Sequence, residues 1–108
     1  MKSIDLNVIA GKQYKVLSGV ELGEKAREVF NLDEEDMDDD VVTIKIPEEV
    51  YSVNSSFFSG VFQKSIKKLG EKKFRDKYIF ECDEIIKLNI ENGIFNIVKT
   101  MDLLGGQS

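Results

Sequence analysis

Residues 41–69, VVTIKIPEEVYSVNSSFFSGVFQKSIKKL, constrain the fold more than any other stretch of this chain. The β-branched, mostly apolar run 41–46 reads as a strand covered on both faces. Pro47, the only proline, ends it because it has no N–H to give to a ladder. Beyond a polar turn with two adjacent serines, Phe58, Val61, Phe62, Ser65, Ile66 and Leu69 recur at helical spacing. A strand feeding an amphipathic helix through such a turn places Ser55 and Ser56 where unpaired backbone N–H groups and the positive end of the helix dipole emerge. That spot suits a phosphate, another anion or an acidic side chain of a partner. The capping hydroxyl of an ordinary helix start would look the same, and with two serines both roles can coexist. Gly60 weakens the helix unless another element packs closely against it, and Gly70 stands where a helix stop would be.

The flanking segments extend the same alternation. Residues 3–9 and 13–17 read as two early strands joined at Gly11-Lys12 as a hairpin. Ser18 and Glu21 have capping-box spacing ahead of a helix that carries Leu22, Ala26, Val29 and Phe30 on one face. Residues 78–82 form another buried-strand candidate. Asp83 can cap a last helix in which Ile86, Ile90, Ile94, Ile97, Val98 and Met101 share a face, with Asn92-Gly93 as a weak point. The order β-β-α-β-α-β-α predicts a single α/β domain over residues 1–104, with 105–108 as a tail.

Charge is distributed unevenly. The net charge is −5, yet residues 33–40, DEEDMDDD, hold seven acids, so the rest of the chain is net positive. The acidic run repels itself and offers little to bury, so a solvated loop is expected. It lacks the spaced carboxylates and the glycine of a calcium loop. Residues 64–77 carry seven Lys or Arg against two acids, with Phe74 and Tyr78 close by. Lys64, Lys67 and Lys68 fall opposite the apolar stripe, the ordinary place for lysine, and no nucleic-acid partner is expected. Arg27 on the first helix can pair with a carboxylate or with an anion held near the serine turn.

Catalysis finds little support. The chain has no histidine, which removes Ser-His and Cys-His nucleophiles and histidine metal ligands. No Gly-rich phosphate loop occurs. No catalytic residue, metal or cofactor is expected. Cys82, the single cysteine, sits among apolar neighbours and fits a reducing compartment. Without a signal peptide or an apolar run of membrane-spanning length, a cytoplasmic placement without membrane contact is expected.

The segment NSSFFSGVF after an apolar strand resembles the centre of STAS domains, the fold of bacterial anti-anti-sigma factors. In those proteins the turn reads Asp-Ser-Ser-Gly, and an anti-sigma kinase phosphorylates the second serine. More specifically, Gly11, Ser18-Gly19, Ala26-Arg27 and Ser55-Ser56-Phe57 resemble the pattern of the STAS-like domain of unknown function family of bacteria and phages, over roughly residues 3–100. Asn54 and Phe57 stand where the regulators have aspartate and glycine. The resemblance implies a mixed four-stranded sheet with about three helices. It also implies a non-enzymatic regulatory module that recognises a protein through residues 52–60, with Asn54, Ser55, Ser56, Phe57 and Arg27 at the contact and Ser56 in the phosphoacceptor position. Phe57 lies off the Phe58–Phe62 stripe and, if exposed, would be an aromatic anchor. A histidine-kinase-like ATPase is the partner this implies. The alternative is a phage or mobile-element inhibitor of a host defence protein, with the acidic loop 33–40 contributing to binding. An exposed first strand can also pair with a second copy, giving a homodimer.

Overall fold

A computed structural model of the chain describes residues 2–9 and 11–104, without the side chains of residues 102–104; the tail expected at 105–108 lies outside the described residues. In chain order the elements begin with β1 (Lys2–Asp5), β2 (Val8–Ile9), β3 (Lys12–Gln13) and β4 (Val16–Leu17). There follow α1 (Val20–Val29), α2 (Leu32–Glu35), β5 (Val42–Lys45) and β6 (Ser52–Val53). The chain continues through α3 (Ser55–Leu69), α4 (Glu71–Lys77), β7 (Tyr78–Glu81) and α5 (Glu84–Leu104).

The main sheet is parallel and three-stranded, in the order β1-β5-β7. Its register sets Ile4, Ile44 and Phe80 side by side, and next to them the row Lys2, Val42 and Tyr78. Val42, Ile44 and Tyr78 are buried, with Ile4 and Phe80 packed at the margin of the same core. The alternate rows, Ser3–Thr43–Ile79 and Asp5–Lys45–Glu81, point the other way and are largely exposed. The domain therefore has two layers, with one dry sheet face and one wet one. Parallel sheets are ordinarily covered on both sides; here the polar residues of the outer rows make the open face tolerable.

The mixed four-stranded sheet expected from the sequence is corrected in two respects. Residues 3–9 do not form one strand: β1 joins the parallel sheet, and β2 leaves it to pair antiparallel with β3. The strand expected at 13–17 is split, and β4 pairs parallel with β6 in a separate two-stranded piece. Five helices replace about three, because the acidic run and the linker after Gly70 each coil into a short one. Two-residue strands carry too little periodicity to be separated from loops by pattern. The α/β layering itself stands, and a radius of gyration of 13.1 Å fits one domain of this length.

The β4–β6 pair sets the geometry of the helix layer. Running parallel, these strands launch α1 and α3 from adjacent points in the same direction. The helices then cross with backbones in contact at Gly23 and Gly60. A Cβ on Gly23 would lie 2.9 Å from the Cα of Gly60 and on the carbonyl oxygen of Phe57, and one on Gly60 would strike the carbonyl of Val20. Gly60, unfavourable in an isolated helix, is thus required by this crossing. On its other side α3 meets α5, where Gly93 leaves room for the Phe58 ring. The weak point expected at Asn92-Gly93 is continuous helix for that reason. Phe58, Phe62, Phe74, Tyr78 and Phe80 stack into one aromatic cluster between α3 and the sheet, with centroids 5.2–6.5 Å apart.

Candidate functional site

The start of α3 is built from three neighbouring polar residues with different duties. Asn54, in extended conformation, is the N-cap: its Oδ1 accepts from the Ser56 backbone N–H at 2.8 Å and from the Ser56 hydroxyl at 2.7 Å. The Ser56 Oγ in turn accepts from the Gly19 N–H at 3.1 Å, across the gap to the start of α1. Ser56 is therefore a clamp between two helix starts. Ser55 is exposed, and its hydroxyl makes no hydrogen bond among the described residues. From the far side, Asn89 of α5 accepts the Val53 N–H at 2.8 Å, which fixes the strand leading into the turn.

Two expectations at this tip are corrected. Phe57, considered as an exposed anchor, is fully buried. Because α3 is sandwiched between α1 and α5, it has two dry sides, and Phe57 lies on the one toward α1 while Phe58 lies on the one toward α5. Ser18 does not cap α1. Gly19 is the N-cap, at φ 97° and without a side-chain cap, and its N–H goes to Ser56. A positive φ of that size suits glycine, so the Ser18-Gly19 pair marks a backbone turn rather than a capping box.

Of the two places expected for Arg27, the pairing with a carboxylate is found, with Asp33 and Asp36, but in the interior and not beside the serine turn. Arg27 is buried, about two turns along the helix pair from the tip. Its Nη1 donates to the Val61 carbonyl at 2.9 Å and to Ser65 Oγ at 2.8 Å. Its Nε and Nη2 donate to Asp33 Oδ1 at 3.0 and 2.7 Å, and Nη2 also reaches Asp36 Oδ2 at 2.5 Å. The other oxygen of Asp36 accepts from Ser65 Oγ and from the Tyr78 hydroxyl, each at 2.6 Å. Among the described residues no buried side-chain nitrogen or oxygen lacks a partner. Burial, followed by the hydrogen bond to Asp36, pushes the Tyr78 phenol well above its ordinary value, so it remains a neutral donor. For Arg27, burial works against the charge, but hydrogen bonds to Asp36 and Asp33 outweigh it and hold the guanidinium ionised. Every donor of Arg27, Ser65 and Tyr78 is engaged, while Asp33 keeps its other oxygen toward solvent.

The acidic run is only in part the solvated loop expected: six of its eight residues are exposed, but its first three are helical and Asp36 is buried. Asn31 turns the chain through a left-handed conformation (φ 55°), Leu32 inserts into the core, and α2 delivers Asp36 to the knot. Lys2 reaches Glu35 and Asp38, each at 3.0 Å. Lys77 donates to the Asp38 carboxylate at 3.0 Å and to the carbonyls of Asp38 and Asp40 at 2.8 and 2.7 Å. Hydrogen bonds from Lys2 and then Lys77 hold the Asp38 carboxyl far below the usual carboxylate range. The run closes in part on basic groups of its own chain, and Glu34 and Asp39 are exposed without an ion pair among the described residues. In the basic stretch, Phe74 and Tyr78 are buried and offer no stacking surface to a base. Arg75 is engaged by Glu91 at 2.8 Å and Glu71 at 3.0 Å.

A groove of about 360 Å³ runs along the α1–α3 seam, from Val20 and Ser59 near the tip to Arg27 and Asp33, with Glu24, Gly60, Gln63 and Lys64 between them. Cys82 is half-buried and its thiol is pushed up by burial, away from a reactive thiolate. Among the described residues, no group of three or more His, Cys, Asp or Glu is placed to hold a metal ion, and no helix is long and apolar enough to cross a membrane. Sequence reasoning missed Asp36, Ser65, Gly23 and Asn89. A signal existed for two of them: Ser65 is a polar residue inside an apolar stripe, and Gly23 is the small residue that the glycine of α3 requires. No family, curated protein or solved structure matches this chain.

Proposed function

We propose that this chain is a non-enzymatic interaction module of the STAS-like type, which recognises a protein partner through residues 52–60 and the adjoining α1–α3 groove. One observation carries the reading: the cap of α3 is already supplied by Asn54, so the exposed Ser55 hydroxyl stands at the entrance of a 15-residue helix with no structural duty. A phosphate or an acidic partner group there would gain from the dipole and the first-turn N–H groups. The family pattern points to Ser56 as the modified residue, whereas the geometry favours Ser55, since modifying Ser56 would remove the O–H that it donates to Asn54. Val20 and Tyr51, both exposed, add apolar surface beside the groove and just before the tip.

The test is affinity capture with the intact protein as bait, in the presence of ATP, against Ser55→Glu and Tyr51→Ala variants. A specific partner should be captured by the wild type and lost with either variant, while the Tm stays within about 2 °C. A histidine-kinase-like ATPase as the captured protein supports the regulatory reading. Capture that survives both substitutions overturns the assignment of the tip.

A further inference from the structure

We infer that α5 carries a self-association surface and that its occupant is a second copy of this chain, docked antiparallel across a two-fold axis beside Asn92. This inference is independent of the reading of the serine tip. The core face of α5 is complete: Ile86, Ile90, Ile94 and Ile97 are all buried. On the opposite side of the same helix Ile85, Leu88 and Phe95 are 66, 65 and 64% exposed. Together with Asn92 and Lys99 they recur at alternating spacings of three and four residues, the seam of a helix that pairs with another helix. The seam is apolar at three of its five positions, interrupted by Asn92, and large apolar residues aligned on one exposed helix face mark an interaction site better than scattered single ones do.

The charges choose the occupant and its direction. Glu84 lies four residues before Leu88, and Lys99 lies four residues after Phe95, all on the exposed side of α5. In an antiparallel pair of copies, Leu88 of each packs on Phe95 of the other, and the same register brings each Glu84 to Lys99 of the other copy. Asn92 then meets Asn92 near the axis, where two amides can exchange hydrogen bonds. A parallel pair would set Glu84 against Glu84 and Lys99 against Lys99, which repel. The stripe is thus self-complementary in one direction only, as a closed two-fold dimer requires. The other candidate for pairing, the β1 edge, is short and charged, with Lys2 drawn into the acidic run, a pattern that discourages strand addition. Three apolar side chains per copy make a contact smaller than a standard interface, so association should be weak.

Sedimentation of the full chain over about 5 to 500 μM tests this. The wild type should shift from monomer toward dimer mass. Leu88→Arg and Phe95→Asp, at the two halves of one contact, should each weaken the dimer by about tenfold or more. Their circular dichroism, and their Tm at concentrations where the wild type is monomeric, should stay unchanged, because both sites are exposed in the monomer. Glu84→Lys alone should weaken association, and Glu84→Lys with Lys99→Glu should recover it. A wild type that stays monomeric throughout the range, or a Leu88→Arg variant that dimerises like the wild type, overturns the proposal. Failure of the reciprocal charge exchange to recover the dimer overturns the antiparallel arrangement.

Discussion

The helices α1 and α3 are tied by polar groups at both ends of their contact, and the two ties differ in kind. At the inner end, Arg27, Asp36, Ser65 and Tyr78 form a buried knot in which each donor has an acceptor. At the outer end, Asn54, Ser56 and the Gly19 amide form a smaller clamp in contact with solvent, with Ser55 left over beside it. Serine serves at both places, yet its residue type says nothing about role. A saturated, buried group fixes the fold. An exposed hydroxyl without a partner, on a rigid helix start, is available to something else. The clamp therefore matters to recognition indirectly, by holding the start of α3 still.

Three substitutions sharpen this contrast, in decreasing order of effect. Asp36→Ala removes the common acceptor of Arg27, Ser65 and Tyr78 and leaves a buried cation underpaired; a loss of about 3–5 kcal/mol in urea unfolding is expected. A loss below about 1 kcal/mol would put the knot in the same class as a rim contact. Gly60→Ala, midway between the two ties, gains about 1 kcal/mol of helix propensity. It also forces a methyl against the Val20 carbonyl and the backbone of Gly23, neither of which can rotate away. A net loss of about 1–3 kcal/mol should result, and a stabilised variant would show that the helices separate easily. At the tip, Ser56→Ala should cost about 1 kcal/mol through the orphaned Gly19 amide, while Ser55→Ala should stay within about 0.5 kcal/mol of wild type. Equal effects at the two serines would erase the distinction between clamp and free hydroxyl.

How far each element was legible in the sequence depends on the range of the interactions that hold it. β5, α3 and α5 were legible because their apolar residues repeat at strand or helix spacing over many positions. The stop at Gly70, with φ 85°, and the Asp83 cap on the Ile86 amide were legible because they are local. Arg27 stands out in the sequence, but its burial does not, since that depends on Asp36 arriving from a run whose composition argues for solvent. Leu32 and the lysines at positions 2 and 77, distant in sequence, overcome that self-repulsion. Phe57 was misplaced because a one-stripe reading of an amphipathic helix fails for a helix with neighbours on two sides. The pair Gly23 and Gly60 was the available sign of that second neighbour. α4 was missed because seven residues rich in charge carry one apolar anchor, Phe74.

The wet face of the parallel sheet has a consequence for how this domain comes apart. Three four-residue strands supported from a single side have no apolar backing of their own. Their amides are shielded only as long as the α3 layer stays seated, so lifting that helix removes what holds the strands together. Melting should then proceed as one event, with no surviving sheet remnant, and slow hydrogen exchange in β5 should report the attachment of α3 rather than any strength of the ladder itself.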